Sequence, residues 1–252
     1  MLIALLGWLA AFVLFVALQQ VITLPPEPSA LRAPLISMCM FTTYAVMLLA
    51  TVAVLVAAAR RRPPCWQLVL AVAVGGALVA LPMRTGAPWP AHLLLNCGGL
   101  ALAGGLGLLV GNLLRRPGYL LPVLIAAGTV DSYSVFFGPT KKIMAQPQLL
   151  SHFLLYWPVL GTERIRGLIG IADFVFAALF LAAAVNFDRP LWRTAAAFAG
   201  GCAAAFLALW LLPIAGIPIL PFVAAAYLLA EWRFLIVDRT NLKNAAIVTA
   251  GV

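Results

Sequence analysis

Charged side chains are scarce in this sequence. Asp and Glu together number 7 among 252 residues, and all charged residues make up only 9% of the chain. Soluble domains carry about 25% charged residues, so the composition excludes a soluble domain of ordinary size. Hydrophobic residues make up 65% of the chain, and its mean hydropathy is +1.09. The sequence therefore predicts a polytopic membrane protein.

Metal-binding and redox motifs are also missing. The four cysteines lack CxxC spacing, and the two histidines have no second ligand at metal spacing. The glycine clusters, such as "GGLALAGGLG" from Gly98, do not end in the Lys-Ser/Thr of a phosphate loop and favour close helix packing instead. We therefore predict no metal and no organic cofactor.

The net charge of +9 does not indicate a nucleic-acid partner. The basic residues lie in short loops between apolar runs, as the positive-inside rule requires, and no basic stripe or aromatic platform accompanies them. The first apolar segment lacks a basic n-region and is longer than the core of a signal peptide. It is interpreted as a retained first span, and the lipid bilayer is the expected partner.

Apolar runs of about 20 residues predict an all-α fold of about eight transmembrane helices. We divide it into an N-terminal four-helix bundle at 1–117 and a second half at 118–252. Proline, glycine and arginine clusters separate the runs. The predicted spans are 1–24, 37–59, 66–82, 90–114, 118–138, 166–187, 192–212 and 215–235.

The longest connection, 139–165, contains the apolar stretch "LLSHFLLYWPVL", which is too short and too interrupted to span. A re-entrant segment, an interfacial segment and a strand covering a cavity all remain open for it. With the N-terminus inside, ten basic residues fall on the inner face and six on the outer face. This count predicts that both termini are cytoplasmic.

Two of the four aspartates lie within predicted spans, whereas Asp188 and Asp238 fall at span ends. A carboxylate at the centre of a membrane helix costs about 2.5–3.5 kcal/mol on insertion scales. The span with Asp131 contains no basic residue, and the span with Asp173 contains none beyond its first residue, Arg166. An ion-paired structural role therefore lacks an obvious cation.

Asp131 and Asp173 lie at equal depth by residue count. Asp131 is seven residues before Gly138, and Asp173 is seven residues after Arg166, so each is predicted about 11 Å below the same face. Carboxyl groups that meet on adjacent helices share a proton, because both cannot ionise easily. Such a pair fits aspartic-protease chemistry, and it also fits the proton relay of a transporter.

The last predicted span begins "LPIAGIPILPFVAAAYLL", with prolines at 213, 218 and 221. These prolines either shape a helix end or leave unwound backbone on the same face as the 139–165 connection. Unwound backbone beside two carboxyl groups suits a peptide substrate, which can add to it as a strand.

Together these pieces resemble the intramembrane aspartyl proteases of the presenilin and signal peptide peptidase type. Asp131 in "VDSYSVFFGPTKKIM" is similar to the family's Tyr-Asp motif, with Val130 in place of Tyr. Asp173 in "GIADFVF" is similar to Gly-x-Gly-Asp, with Ala172 in place of the second Gly. "PILP", residues 218–221, looks like Pro-Ala-Leu, with Ile219 in place of Ala. The resemblance covers about 118–235.

The resemblance implies a presenilin-like bundle and an endopeptidase that cuts within membrane helices. Asp131 and Asp173 would be catalytic, and no cofactor would be needed. The residues expected to bind substrate are Gly170, Ala172, Pro218, Ile219, Leu220 and Pro221. The implied substrates are single-span membrane proteins or signal peptides.

Two other functions stay open: an inactive relative that binds membrane helices, and a proton-coupled transporter. No second broken helix is evident in the first half, which counts against a transporter built from inverted repeats. Frequent Ala, Leu and Arg favour a prokaryotic cytoplasmic membrane as the location. The oligomeric state is not predicted.

Overall fold

The computed structural model describes residues 2–22, 32–81, 89–144, 146, 150–160, 162, 165–212 and 217–236. Over these ranges the chain forms nine helices and one β-hairpin. The helices are α1 (Leu2–Val21), α2 (Arg32–Arg60), α3 (Cys65–Val79), α4 (Trp89–Leu113), α5 (Leu120–Phe136), α6 (Pro139–Met144), α7 (Ile171–Asn186), α8 (Leu191–Leu211) and α9 (Leu220–Ile236).

Five helical segments are long and apolar enough to cross a membrane, which confirms a mostly helical polytopic protein at this level of detail. They are Ile3–Val21, Pro34–Arg60, Trp89–Leu113, Pro117–Ile143 and Leu191–Leu211. Cys65–Val79 and Ile171–Asn186 are apolar but shorter. Each of the eight predicted spans coincides with one helix of 15 residues or more, although the boundaries differ.

Glycines allow α4 to pack closely along α7. A Cβ added to Gly107 would lie 2.6 Å from the Cβ of Ala178 and would also overlap the carbonyl oxygen of Val175. A Cβ on Gly111, one turn further, would lie 2.6 Å from the Cβ of Ala182. The glycine clusters therefore serve close helix packing, as predicted. The division into two halves at residue 117 stays a prediction, and this contact crosses it.

A β-hairpin precedes α7 and corrects the predicted start of the sixth span. Strand β1 (Leu154–Pro158) pairs antiparallel with β2 (Ile165–Gly170), with Leu154 opposite Gly170. The helix predicted from residue 166 begins only at Ile171. A short apolar run does not by itself distinguish strand from helix, and here pairing with β1 makes residues 165–170 a strand. Part of the 139–165 connection, Leu154–Pro158, is thus a strand, as one of the alternatives expects, while its placement relative to the membrane stays a prediction.

The hairpin is held by α1 and α4. The buried Asn96 of α4 accepts a hydrogen bond from the Tyr156 amide at 2.7 Å and donates another to the Tyr156 carbonyl. Trp157 is fully buried, with ring centroids 5.3 Å from Trp8 and 5.2 Å from Phe12 of α1. The sheet has two strands within the described ranges, so the outer edge of β2 faces no third strand there.

Helices α7 and α9 begin at the same end of the bundle. Gly201 of α8 lies against Val223 early in α9, whereas Arg189, just after α7, contacts Glu231 late in α9. We call the end where α7 and α9 begin the aspartate end, and the end where they finish the arginine end. Several arginines lie at the arginine end, in or beside the turns that follow α2, α4 and α7.

Candidate active site

Asp173 lies in the first turn of α7 and not seven residues inside a helix, as its count from Arg166 predicts. Its side chain is buried, with 9% of its surface exposed. Gly170 is the N-cap of α7, and the Gly170 amide donates to the Asp173 carboxylate. An acidic residue at this position satisfies an otherwise unpaired amide and interacts favourably with the helix dipole. The fold thus places this carboxylate at a helix N-terminus.

Gly170 also leaves room for that carboxylate. A Cβ at residue 170 would lie 3.0 Å from Asp173 Oδ2, closer than nearly all carbon–oxygen contacts of this kind. A methyl group there would require the carboxylate to shift by a few tenths of an ångström. Gly170, a predicted substrate-binding residue, is therefore placed by the structure directly against Asp173.

Asp131 lies five residues before the end of α5 and is partly buried. Its Oδ2 accepts a hydrogen bond from the Leu220 amide at 3.0 Å, and the Ile219 amide is a second donor to the same carboxylate. Because Pro218 and Pro221 have no N–H, these two amides are the only donors that the segment "PILP" offers. Both are directed at Asp131.

The Ile219 carbonyl in turn accepts hydrogen bonds from the Phe222 and Val223 amides, at 3.1 Å each, and so begins α9. Asp131 therefore caps α9 from a neighbouring helix. A Cβ on Gly128 would lie 3.5 Å from Pro221 Cα, which shows how closely α5 approaches this helix start. The sequence predicts that unwound backbone here can bind a substrate, but in the structure these amides bind Asp131.

The two aspartates lie close enough for their charges to interact. They meet because α7 and α9 both begin at the aspartate end, where α5 finishes. Neither forms an ion pair with any side chain in the described part of the chain. Two helix N-termini, each with partial positive charge, stand where a cation would otherwise be needed.

Ala172 and Val130, the residues that precede the two aspartates, are both exposed; Val130 has 65% of its surface accessible. The methyl group of Ala172 therefore borders the open side of the site. Pro218 and Leu220 are buried, whereas Ile219 and Pro221 are half-buried. The predicted substrate-binding residues thus divide into an accessible group and a group that supports the start of α9.

Two buried residues that the sequence analysis did not identify lie behind Asp173. The hydroxyl of Tyr44 on α2 donates to the carbonyl of Cys202 on α8 at 3.2 Å, and both side chains lie near enough to interact with the Asp173 charge. Neither residue belongs to a local pattern that reveals this contact, because it joins three helices far apart in sequence.

No group of three His, Cys, Asp or Glu side chains that could hold a metal ion occurs in the ranges that the structure describes. His152 instead bonds the Val79 carbonyl through Nδ1 at 2.9 Å. The site thus contains two carboxyl groups and ordered amide donors. These are groups that can transfer protons to and from a substrate.

Comparison of the chain with protein-family models, with curated proteins and with solved structures finds no match.

Proposed function

We propose that this chain is an intramembrane aspartic endopeptidase of the presenilin and signal peptide peptidase type. The observation that carries the proposal is the meeting of Asp131 and Asp173 at two helix N-termini without an ion-pair partner in the described part of the chain. An intramembrane carboxyl group indicates a functional site. Two that meet favour proton sharing.

All eight long helices span the membrane in this proposal. α7 has 16 residues and is about 24 Å long, which is shorter than the hydrocarbon core of about 30 Å. The missing length lies at the aspartate end, where β2 and the non-helical residues 217–219 precede α7 and α9. Non-helical backbone at membrane depth is tolerated where it is buried in protein or lines a water-filled cavity. The proposed mechanism requires the second case, in which water reaches the carboxyl groups.

The hydrogen bonds suggest separate roles for the two carboxyl groups. Asp131 accepts two amide hydrogens and carries the negative charge, whereas the more buried Asp173 holds the shared proton. Asp131 removes a proton from water as the water oxygen attacks the scissile carbonyl carbon. Asp173 protonates the carbonyl oxygen. Collapse of the tetrahedral intermediate then breaks the C–N bond, and the amine leaves with a proton from the pair.

The substrate is a single-span membrane protein or signal peptide, unwound near the site. The outer edge of β2 leads directly to Gly170 and Asp173, so an added substrate strand would place a peptide bond beside the carboxyl groups. Because the "PILP" amides donate to Asp131, we assign the binding of substrate backbone to this edge of β2 instead. Ala172 borders the path, and residues 218–221 fix the opposite wall.

The proposed location is a prokaryotic cytoplasmic membrane, with both termini inside and the aspartate end outside. The basic residues support this orientation, because they concentrate at the arginine end. It favours substrates whose N-terminus is inside.

Incubation of the purified protein with a labelled single-span peptide, followed by mass spectrometry of the products, tests the proposal. Wild type should release two fragments cut within the span. Asp131→Asn should stay folded, because its amide oxygen still accepts from Leu220, yet it should release none. Asp131→Leu should lose both cleavage and stability, because two buried amides then lack an acceptor. If wild-type protein binds the peptide but leaves it intact, the proposed protease function is wrong.

A second candidate is a relative that binds membrane helices without cutting them. The capping hydrogen bonds favour it, because they give both aspartates a structural role independent of catalysis. Binding of the same peptide without fragments, unchanged in Asp131→Asn, would support this function.

A further inference from the structure

A second polar feature lies at the arginine end, across the bundle from the aspartates. An open cavity of about 600 Å³ lies between the start of α8 and the last turns of α9. Arg189, Arg193 and residues 229–234 line it. Its lining includes three arginines and one acidic residue, Glu231.

Arg189 is already neutralised. Its Nε donates to Glu231 Oε2 at 3.0 Å, and its NH2 group donates to the same oxygen. The guanidinium carbon also lies 4.8 Å from the ring centroid of Phe234. Among the residues that the structure describes, Glu231 is the only acidic one that lines the cavity, so no described carboxylate there balances the charges of Arg193 and Arg233.

Arg193 lies in the first turn of α8, where the helix dipole is positive. A cation is unfavourable at that position, and a second arginine across the cavity adds repulsion. An anion between the two guanidinium groups would relieve both effects. The N-terminus of α8 would attract the same anion.

Two exposed tryptophans lie beside the two arginines. The guanidinium carbons of Arg193 and Arg233 lie 5.4 Å from the rings of Trp192 and Trp232, respectively. The tryptophans are 66% and 50% exposed. Tryptophan is enriched where lipid headgroups begin, and basic pockets between helices there bind phosphate-bearing headgroups.

We propose that this cavity binds a phosphate-bearing anion between Arg193 and Arg233. An anionic phospholipid headgroup and free inorganic phosphate share this chemistry. The site is separate from the aspartates and does not depend on the proposed protease activity. Arg189 and Glu231 form its fixed wall, while the two other arginines supply charge and hydrogen bonds to phosphate oxygens.

The test is native mass spectrometry of the purified protein in a zwitterionic detergent, titrated with phosphatidylglycerol or phosphatidylcholine. Wild type should retain phosphatidylglycerol more tightly than phosphatidylcholine. The double variant R193Q/R233Q should bind phosphatidylglycerol at least about tenfold more weakly, because it loses the charge-assisted hydrogen bonds of both arginines; tenfold corresponds to about 1.4 kcal/mol. R193K/R233K should retain most of the binding, and R61Q, an exposed arginine outside the cavity, should match wild type.

Inorganic phosphate, added as a competitor, identifies the source of the anion. Displacement of phosphatidylglycerol by phosphate, with the same arginine dependence, would support the site with free phosphate as its ligand. Persistence of the lipid would support the headgroup. The unfolding midpoint of each variant, measured without lipid, shows that the fold is kept. Equal phosphatidylglycerol affinity for wild type, R61Q and a folded R193Q/R233Q would overturn the proposal.

Discussion

The two ends of α7 and α9 bury acidic side chains in different ways. At the arginine end, the fully buried carboxylate of Glu231 is bound by the guanidinium of Arg189. At the aspartate end, Asp131 and Asp173 have only backbone amides as partners among the contacts that the structure gives. Helix α9 therefore begins beside Asp131, a carboxylate with no cationic partner in the described residues. Near its end it carries Glu231, a carboxylate that is paired with an arginine.

This difference distinguishes a carboxylate with a structural role from carboxyl groups that are free to exchange a proton. An arginine cannot be deprotonated in proteins, and the Arg189 guanidinium donates two hydrogen bonds to Glu231, so the position of Glu231 is fixed. Helix N-termini stabilise a negative charge by roughly 0.3–2 kcal/mol but do not require it. The aspartates can therefore gain and lose a proton without loss of their position. In the proposed function, the arginine end serves stability and surface binding, and the aspartate end serves proton transfer.

The largest effect is expected from Asp173→Asn, compared with Asp188→Asn at the other end of the same helix. Asp173→Asn should reduce peptide cleavage to background, because its amide cannot donate an acidic proton. Asp188 is 96% exposed in its side chain and pairs only loosely with Arg62 at 4.0 Å. Its variant should cleave at the wild-type rate in the mass-spectrometric assay. Equal rates for the two variants would remove the distinction between the two ends.

Arg189→Gln should be the most destabilising single change at the arginine end. Removal of one partner from a buried ion pair costs about 3–5 kcal/mol, because it leaves an uncompensated charge. Arg62→Gln is the matched control, since its side chain is 67% exposed, and it should change stability by about 1 kcal/mol or less. Thermal unfolding in phosphate-free zwitterionic detergent measures both. Similar midpoints would show that Glu231 does not depend on its arginine.

Gly107→Ala should destabilise the contact between α4 and α7, the helix that carries Asp173. The added methyl group would overlap Val175 and Ala178, and overpacking of this kind costs about 1–3 kcal/mol. Gly200→Ala provides the control, because nothing lies within 4 Å of its added Cβ. It should leave the unfolding midpoint unchanged or raise it. A midpoint for Gly107→Ala at or above that of Gly200→Ala would contradict this packing.

Ala172 gives the smallest expected effect, confined to turnover. Its exposed methyl group borders the proposed substrate path next to Asp173. Ala172→Gly should keep or raise the cleavage rate, whereas Ala172→Val should lower it about tenfold, which corresponds to about 1.4 kcal/mol in the barrier. Both variants should unfold at the wild-type midpoint. Identical turnover for Ala, Gly and Val would place the substrate elsewhere.

The helical part of the fold is largely predictable from sequence, because spans need long apolar runs and the breakers between them are evident. The boundary between β2 and α7 at the candidate site is not predictable in the same way. Residues 165–170 continue the apolar pattern of α7, and only pairing with β1, held by Asn96 on α4, makes them a strand. The prediction of equal depth therefore uses a wrong residue count for Asp173, because the helix begins at Ile171 and not at Arg166.

The candidate site is predictable in its side chains and not in its backbone. Asp131 and Asp173 stand out because carboxylates are rare in apolar spans. The donors from Ile219 and Leu220 carry no side-chain signal, since any residue but proline supplies an amide. The contact between Glu231 and Arg189 likewise depends on how α7 and α9 end, which the sequence pattern does not define.

The central claim is that Asp131 and Asp173 act as one unit, and a double-variant comparison tests it most directly. Cleavage of the labelled single-span peptide would be measured for wild type, Asp131→Asn, Asp173→Asn and the double variant, across a range of pH. We expect a rate maximum for wild type that falls on both sides, because the pair works only with one proton. All three variants should give the same background, since residues that act together are not additive. Residual cleavage by folded Asp131→Asn, reduced further in the double variant, would contradict the claim.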